Sequence, residues 1–392
     1  MAKRKNKSSK RFYYAFVAVI LIIVLAVTFL DFKFRLGIVN WDEIIGEGQS
    51  ESEVESKESV SVSEIKDLKI TFIDVGQGDA ILINLPDGKN MLIDAGEDYK
   101  SVEKTLDKYL TVNGEKLKLD YVIATHTDKD HIGSMDYVYE NYEVGYTYRP
   151  YVKYSGESSF NEGFADVGYD PVSSKTYKAY LEGVANEGTS YSFFTDSSDI
   201  NVSVNTENTK IEYSIDFAMP YAKTLDGFKD FNDSNDFSAV VIIEFAGRKI
   251  MLTGDMEAKA EEKFVEYYNQ NPSEKTLLDC DVLKVAHHGS ETSSTMSFLN
   301  LIKPEYSVIS TGLCHANHRH PREKTLNSLI NVNSKTYRTD LQGTVTLVVT
   351  PSGEMKLSVQ TDEFNEYLML SADQISAIDG LKDEIENFKM KL

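Results

Sequence analysis

Strand-length apolar runs that end in metal-binding residue types constrain this chain more than any other feature. Tyr121–Ala124 leads into Thr125-His126-Thr127-Asp128-Lys129-Asp130-His131, Ile250-Met251-Leu252-Thr253-Gly254 into Asp255, and Val282–Ala286 into His287-His288-Gly289-Ser290. All seven histidines fall in three short segments, the third holding His315, His318 and His320. Histidines serving only as core residues would be scattered. Imidazoles and carboxylates launched together from buried strand ends are the raw material of a transition-metal site. The pattern reads as a metalloenzyme.

The elements around these runs are those of an α/β domain. Leu68 to Val75 alternates as a strand, Gly76-Gln77-Gly78-Asp79 turns, and Ala80–Leu85 is a second strand. Pro86-Asp87-Gly88-Lys89 signals a hairpin, followed by Met91-Leu92-Ile93 ending in Asp94-Ala95-Gly96. A helix is expected from about Ser101 to Leu110, a strand pair at Ala239–Phe245 and Lys249–Thr253, and a helix over Glu257–Asn269. Strands bracketed by helices over some 280 residues make one domain of ordinary-to-large size. Residues 146–200, rich in Tyr, Ser and Gly, read as a lid or an irregular insertion. From Ala372, apolar residues at Ile375, Ile378, Leu381, Ile385 and Phe388 have helical spacing and predict a docking helix, or else a short partner helix, in the C-terminal segment, residues 356–392.

Ahead of this domain the composition changes twice. Residues 1–11 hold Lys3, Arg4, Lys5, Lys7, Lys10 and Arg11 with no acid, and Phe12–Leu30 carries no charge. At about 1.5 Å per residue that run spans roughly 28 Å, close to a bilayer's hydrocarbon thickness. The basic flank predicts a single-pass anchor with its N-terminus cytoplasmic and everything after residue 35 exported. A cleaved signal is the rival, but no Ala-x-Ala site follows the apolar run. Residues 31–66 form a linker, and its stretch from Glu47 to Glu64, mostly Ser, Glu, Val and Lys, cannot bury enough apolar surface to offset chain entropy, so a disordered tether is expected there. The α/β domain then covers 67–355.

Net charge is −21, and −27 once the six cations of the tail are set aside. That is a poor surface for gripping nucleic acid by phosphate neutralisation. Cys280 and Cys314 are too few for a disulfide framework and form one bridge or stay free thiols.

His126, Asp128, Asp130 and His131 crowd into six positions, more than one zinc ion needs, and a pair of ions needs further ligands from elsewhere. Asp255 stands where a carboxylate is able to bridge two ions, though by position alone it also suits a cap for the helix near Glu257. His287 or His288 ends a further strand. His315 and His318 read better as a polar surface loop. Gly76 and Gly78 supply backbone freedom in a tight loop.

In order and wording these segments resemble the metallo-β-lactamase fold, and within it the hydrolase domain of the ComEC competence proteins. The resemblance rests on Asp74-Val75-Gly76-Gln77-Gly78-Asp79-Ala80, Asp94-x-Gly96, His126-x-Asp128-x-Asp130-His131, Asn235-x-x-Ser238, Thr253-Gly254-Asp255 and Asp281-Val282-Leu283-Lys284-Val285-Ala286-His287-His288, and covers roughly residues 68–350. It implies a four-layer αββα sandwich with a two-metal site at one edge. His126 and Asp128 would hold one ion, Asp130, His131 and His288 the other, and Asp255 would bridge. Asp79 and Asp94 would support the site without binding metal.

Two departures matter. Asn235 and Ser238 occupy the region where the fold commonly has a histidine before the bridging aspartate, which weakens the first ion's site. His126-x-Asp128 replaces the commoner histidine pair, a harder donor set that suits manganese as well as zinc. Two divalent ions would lower the pKa of a shared water and stabilise the attacked and leaving oxygens of a phosphodiester. Asp130 would also orient that water, and His287 and His320 would contact phosphate or protonate the leaving oxygen.

The substrate remains divided at this point. A competence-type nuclease acting on DNA is one expectation. A phosphodiesterase of cell-wall polymers is another, since the chain also resembles the choline-phosphate esterases of teichoic acid. One apolar span is read here, against the multi-helix channel of ComEC, so the resemblance implies a free-standing hydrolase domain. A tethered, non-catalytic binding module is the reading of a different class.

Overall fold

The computed structural model describes residues 58–150, 152–156, 158–161, 171–193, 198–219, 231, 233–272, 278–313 and 318–392. The basic tail, the apolar run and most of the linker lie outside the described residues, as do Cys314 and His315. Among the described residues no helix is long and apolar enough to cross a membrane. Cys280 is a buried free thiol.

Two eight-stranded sheets carry the architecture. The first runs, in spatial order, Glu58–Ser61, Ile200–Asn205, Lys210–Met219, Val240–Phe245, Arg248–Leu252, Val282–Lys284, Tyr306–Ile309 and Lys335–Arg338. The second runs Met355–Val359, Val345–Val349, Leu68–Phe72, Ile81–Asn84, Asn90–Ile93, Leu119–Ile123, Val144–Arg149 and Ser190–Phe193. The β-branched run Val240-Val241-Ile242-Ile243 pairs antiparallel with Arg248–Leu252 across Ala246-Gly247, both at positive φ as a two-residue hairpin turn demands.

Each sheet has a block of four parallel strands in which chain neighbours are also spatial neighbours. In the first sheet the crossovers are helices Ala258–Gln270, Met296–Ile302 and Glu323–Asn331. In the second they include Lys100–Leu110, Met135–Asn141 and Lys175–Glu187. Right-handed crossovers in a monotonic strand order place all the helices on one face. The other face is equally buried, since Val282, Leu283 and Lys284 are all inaccessible. Only the opposing sheet is left to cover it, and both sheets feed one continuous core. The helices interlock as well: the Phe264 and Phe298 rings meet edge to face at 5.4 Å.

Four boundaries differ from the sequence expectations. The linker does not run to residue 66: Glu58–Ser61 pairs parallel to Ile200–Asn205, with Val60 and Val62 packed on the core. The 146–200 stretch is not irregular where described, because a helix burying Tyr177, Tyr180, Leu181 and Val184 leads into the edge strand Ser190–Phe193. The C-terminal segment is not separate from the domain, since Met355–Val359 hydrogen-bonds to Val345–Val349. Its one expected helix is two, Ala372–Ala377 and Leu381–Lys389, broken where Gly380 takes φ 75°. Ile375, Leu381 and Ile385 reach a small second core with Leu341 and Phe364, while Ile378, stranded at the break, stays exposed.

Candidate metal centre

The chemistry-bearing residues all leave the carboxyl ends of these strands. Asp94 follows Asn90–Ile93, His126 follows Leu119–Ile123, Asp255 follows Arg248–Leu252, and His288 follows Val282–Lys284. Side chains from both sheets therefore meet at one edge of the sandwich.

Asp255 stands at the middle. Its Oδ1 is 3.2 Å from His131 Nε2, and its Oδ2 is 3.3 Å from His288 Nε2, 3.8 Å from His287 Nε2 and 4.0 Å from His126 Nε2. His131 Nε2 and His288 Nε2 are 3.2 Å apart, and Asp130 Oδ2 is 3.2 Å from His288 Nε2. Two nitrogens bound to one zinc at about 2.0–2.1 Å would stand just over 3 Å apart, so the spacing suits a shared ion.

The tautomers are set from behind. Asp94 accepts from Thr125 N at 2.8 Å, from Thr125 Oγ1 at 2.7 Å and from His131 Nδ1 at 2.7 Å. Thr125 has one hydroxyl proton, already given to Asp94, so it accepts from His126 Nδ1 at 3.0 Å. His288 Nδ1 donates to the Ser310 carbonyl at 2.8 Å. With all three Nδ1 atoms committed, the Nε2 lone pairs point inward, as metal-binding imidazoles require. His126 Nε2 and Asp255 Oδ1 are buried and make no hydrogen bond. These unsatisfied atoms beside a His/Asp cluster fit a divalent ion.

Without an ion, protons balance the charge. Burial pushes His126 down, and the neighbouring His131 adds to that. Burial also opposes charge on His131, yet the Asp255 and Asp94 carboxylates hold it well above the usual imidazole range. His288 is raised to about 10, against its burial, by Asp255 and Asp130. Burial would lift Asp255, but His131, His288 and His287 keep it well below the usual carboxylate range.

The remaining predicted residues are placed as follows. Asp130 accepts from Gln77 Nε2 at 3.2 Å as well as facing His288. Asp128 accepts from Ser234 Oγ at 2.9 Å and acts on His126 through its charge. Ser238 Oγ accepts from Asp255 N at 3.1 Å, so the residue standing in the usual histidine region fixes the backbone of Asp255. Asn235 is buried nearby with Oδ1 unpaired. His287 holds Glu257 Oε1 at 3.0 Å through Nδ1, and its ring is 5.4 Å from that of His320. His287 and His288 both take positive φ, 48° and 52°, which turns two successive imidazoles into the site at a backbone cost. His318 lies 6.2 Å from His320, ring to ring.

Asp79 groups with His131, Asp255 and His288, but it approaches the two imidazoles at their Nδ1 sides, at 4.0 and 3.7 Å. Its nearest partner is Lys284 Nζ at 2.8 Å. That places it behind the imidazole rings, away from the inward-facing Nε2 atoms. A Cβ on Gly78 would fall 2.0 Å from the Asp130 carbonyl oxygen, so only glycine lets this loop pass so close to the metal loop.

Sequence reading alone did not single out Gln77, Thr125, Lys284 or Glu257. Lys284 was nonetheless detectable, as a lone charge inside the buried run Val282–Val285.

The chain belongs to the metallo-β-lactamase superfamily, whose family model matches residues 73–313. Within it the chain is 29% identical over 293 residues to ComE operon protein 3 of Bacillus subtilis, a match covering 71% of this chain and 32% of that protein. It is 27% identical over 274 residues to competence protein ComA of Neisseria gonorrhoeae, covering 70% and 31%. Recombination protein 2 of Haemophilus influenzae matches at 27% identity over 247 residues, 62% of this chain and 24% of that protein. The match thus spans about a third or less of the length of these relatives. The metallo-β-lactamase fold protein YhfI of Bacillus subtilis aligns over 75% of this chain and 100% of its own at 12% identity and TM-score 0.39.

Proposed function

We propose that this protein is an exported, membrane-anchored, metal-dependent hydrolase that cleaves phosphodiester bonds. The observation that carries the reading is the Asp255 carboxylate, buried and shared between His131, His288 and His126 at the strand ends. His131, His288, Asp130 and Asp255 would hold one divalent ion, zinc or manganese, and His126, Asp128 and Asp255 a second, more weakly held one. Such ions supply Lewis acidity that lowers the pKa of water and stabilises charge on phosphate oxygens.

The chain's own groups do the rest. Asp94 keeps His131 in one tautomer, Gln77 steadies Asp130, and Ser238 steadies the Asp255 backbone. His287 is raised above the usual imidazole range, against its burial, by Asp255 and by its bond to Glu257. That shift favours the charged imidazole facing an anionic substrate at the open side of the centre. His320, lowered to about 3 by burial and by His288 and His287, stays neutral beside it.

The competence relatives support nucleic acid as the phosphodiester, and the resemblance to the choline-phosphate esterases of teichoic acid supports a cell-wall polymer. The uncharged Phe12–Leu30 run behind a basic tail supports the anchor. The test is metal analysis of the full-length protein purified in detergent, followed by turnover of bis-(p-nitrophenyl) phosphate, a phosphomonoester, single-stranded DNA and poly(glycerol phosphate). Bound metal with no hydrolysis of any of these would favour a binding module instead.

A further inference from the structure

From His315 to Arg322, His and Arg fill five of eight positions and no acid occurs, in a chain of 62 acids and 41 Lys and Arg. The described part of this segment is fastened to the metal centre. Arg322 N donates to the Gly289 carbonyl at 2.9 Å, one residue beyond His288, and the His320 ring is 6.5 Å from that of His288. From the other side Ala372 N donates to the Pro321 carbonyl at 3.1 Å. On the outer edge the two arginines converge on one carboxylate: Arg319 Nη1 is 2.8 Å from Asp373 Oδ1 and Arg322 Nη1 is 3.2 Å from Asp373 Oδ2.

Exposed ion pairs of this kind add little to stability, so the fold does not need the arrangement to stand. Its geometry has another use. One carboxylate gives one oxygen to each guanidinium, and the two non-bridging oxygens of a phosphodiester offer the same pattern. In the chain between these two arginines stands His320, its ring 6.5 Å from that of His288, only 7% exposed and with its buried Nδ1 lacking any hydrogen-bond partner.

We infer that Arg319 and Arg322 form a subsite for a second phosphate of a polyanionic phosphodiester chain, occupied by Asp373 until the chain displaces it. The inference rests on the phosphodiesterase reading and deepens it. The substrate is a polymer of repeated phosphodiesters, because a single diester held at Asp255 would leave the fork unused. Nucleic acid and cell-wall polyol phosphate share this chemistry.

Binding tests the subsite apart from catalysis. Full-length protein stripped with chelator, so that nothing is cut, is titrated into fluorescein-labelled oligothymidylate and labelled poly(glycerol phosphate) while anisotropy is read across a salt series. Asp373→Asn is expected to tighten binding of the true chain about fivefold or more. Arg319→Gln with Arg322→Gln is expected to weaken it at least tenfold and to lower the salt slope by about 0.7, one phosphate contact on a single strand. The polymer that responds identifies the source. A parallel assay on loaded protein reads KM, which should rise at least tenfold more for that polymer than for bis-(p-nitrophenyl) phosphate in the arginine variants. Binding that ignores all these substitutions, or fails with both polymers, overturns the subsite. Wild-type protein that binds a chain but hydrolyses no diester overturns the phosphodiesterase reading and leaves the subsite standing.

Discussion

Lys284 and Asp79 form an ion pair 2.8 Å long with both side chains shut away from solvent, directly behind the imidazoles of His131 and His288. Lys284 also donates to the Val285 carbonyl at 2.9 Å, which leaves the ammonium well satisfied. Two opposite charges tolerate such burial only together. Lys284→Met is therefore expected to cost about 3–5 kcal/mol, because the Asp79 carboxylate loses its nearest counter-charge in low dielectric. Adding Asp79→Leu to that variant should recover most of the loss in a denaturant titration. A double variant no more stable than the single one would show that the pair is not the source of the cost.

Asp255→Ala is expected to abolish metal retention and hydrolysis with little loss of fold. The side chain leaves a strand end and sits among imidazoles, not in the apolar core, and His131 and His288 shed their protons once this counter-charge is gone. Metal content by mass spectrometry and a circular dichroism melt read the two effects separately. Unchanged metal content in this variant would remove Asp255 from the centre.

Asp94→Asn should weaken metal binding by about 10–100-fold, the usual effect of losing a group that orients a ligand. The amide replaces one acceptor of the Asp94 carboxylate with a donor, and that carboxylate serves Thr125 N, Thr125 Oγ1 and His131 Nδ1 at once. Competition with a chromophoric chelator measures the shift. Affinity equal to wild type would mean that the His131 tautomer is fixed by other means.

These three residues also mark what the sequence makes legible. Asp255 and Asp94 end apolar runs, and the histidine clusters follow such runs, so both the α/β class and most of the candidate ligands can be read from periodicity and residue type. Lys284 and Glu257 are different. Each takes its role from a partner far away in the chain, Asp79 or His287, and no local pattern encodes that meeting. The same holds for the C-terminal helices, whose spacing is clear while the break at Gly380 depends on a backbone conformation. The edge strand Glu58–Ser61 is hidden because its composition is that of the Ser- and Glu-rich sequence before it.

Proton uptake gives the centre a pH signature. Metal binds neutral imidazole, yet in the metal-free protein His131 is held well above 6.5 and His288 near 10. Loading at pH 7.5 should therefore release one to two protons, and affinity should climb as pH rises from about 6.5 to 9. Stability of the metal-free fold should move the other way. A folded pKa raised above the unfolded value contributes stability that is complete below 6.5 and is lost as pH rises toward about 10 for His288. Calorimetry in buffers of different ionisation enthalpy counts the protons. A count of zero would mean that both imidazoles are already neutral.

Arg338 ties the C-terminal segment to the sandwich. Its guanidinium is fully buried, donates to Asp340 at 2.9 and 2.6 Å, and reaches the carbonyls of Leu368 and Leu370 at 3.0 and 2.5 Å. These bonds hold the turn that leads to Asp373, the carboxylate that Arg319 and Arg322 share. Arg338→Met would leave Asp340 charged, buried and alone, and would orphan two carbonyls, for an expected loss of about 3–5 kcal/mol. Lys is not expected to rescue it, because an ammonium cannot span the carboxylate and both carbonyls as the planar fork does. Limited proteolysis should then cut between residues 360 and 392 before anything else in the domain. Cleavage spread evenly over the domain would mean that Arg338 supports the whole sandwich and not this segment in particular.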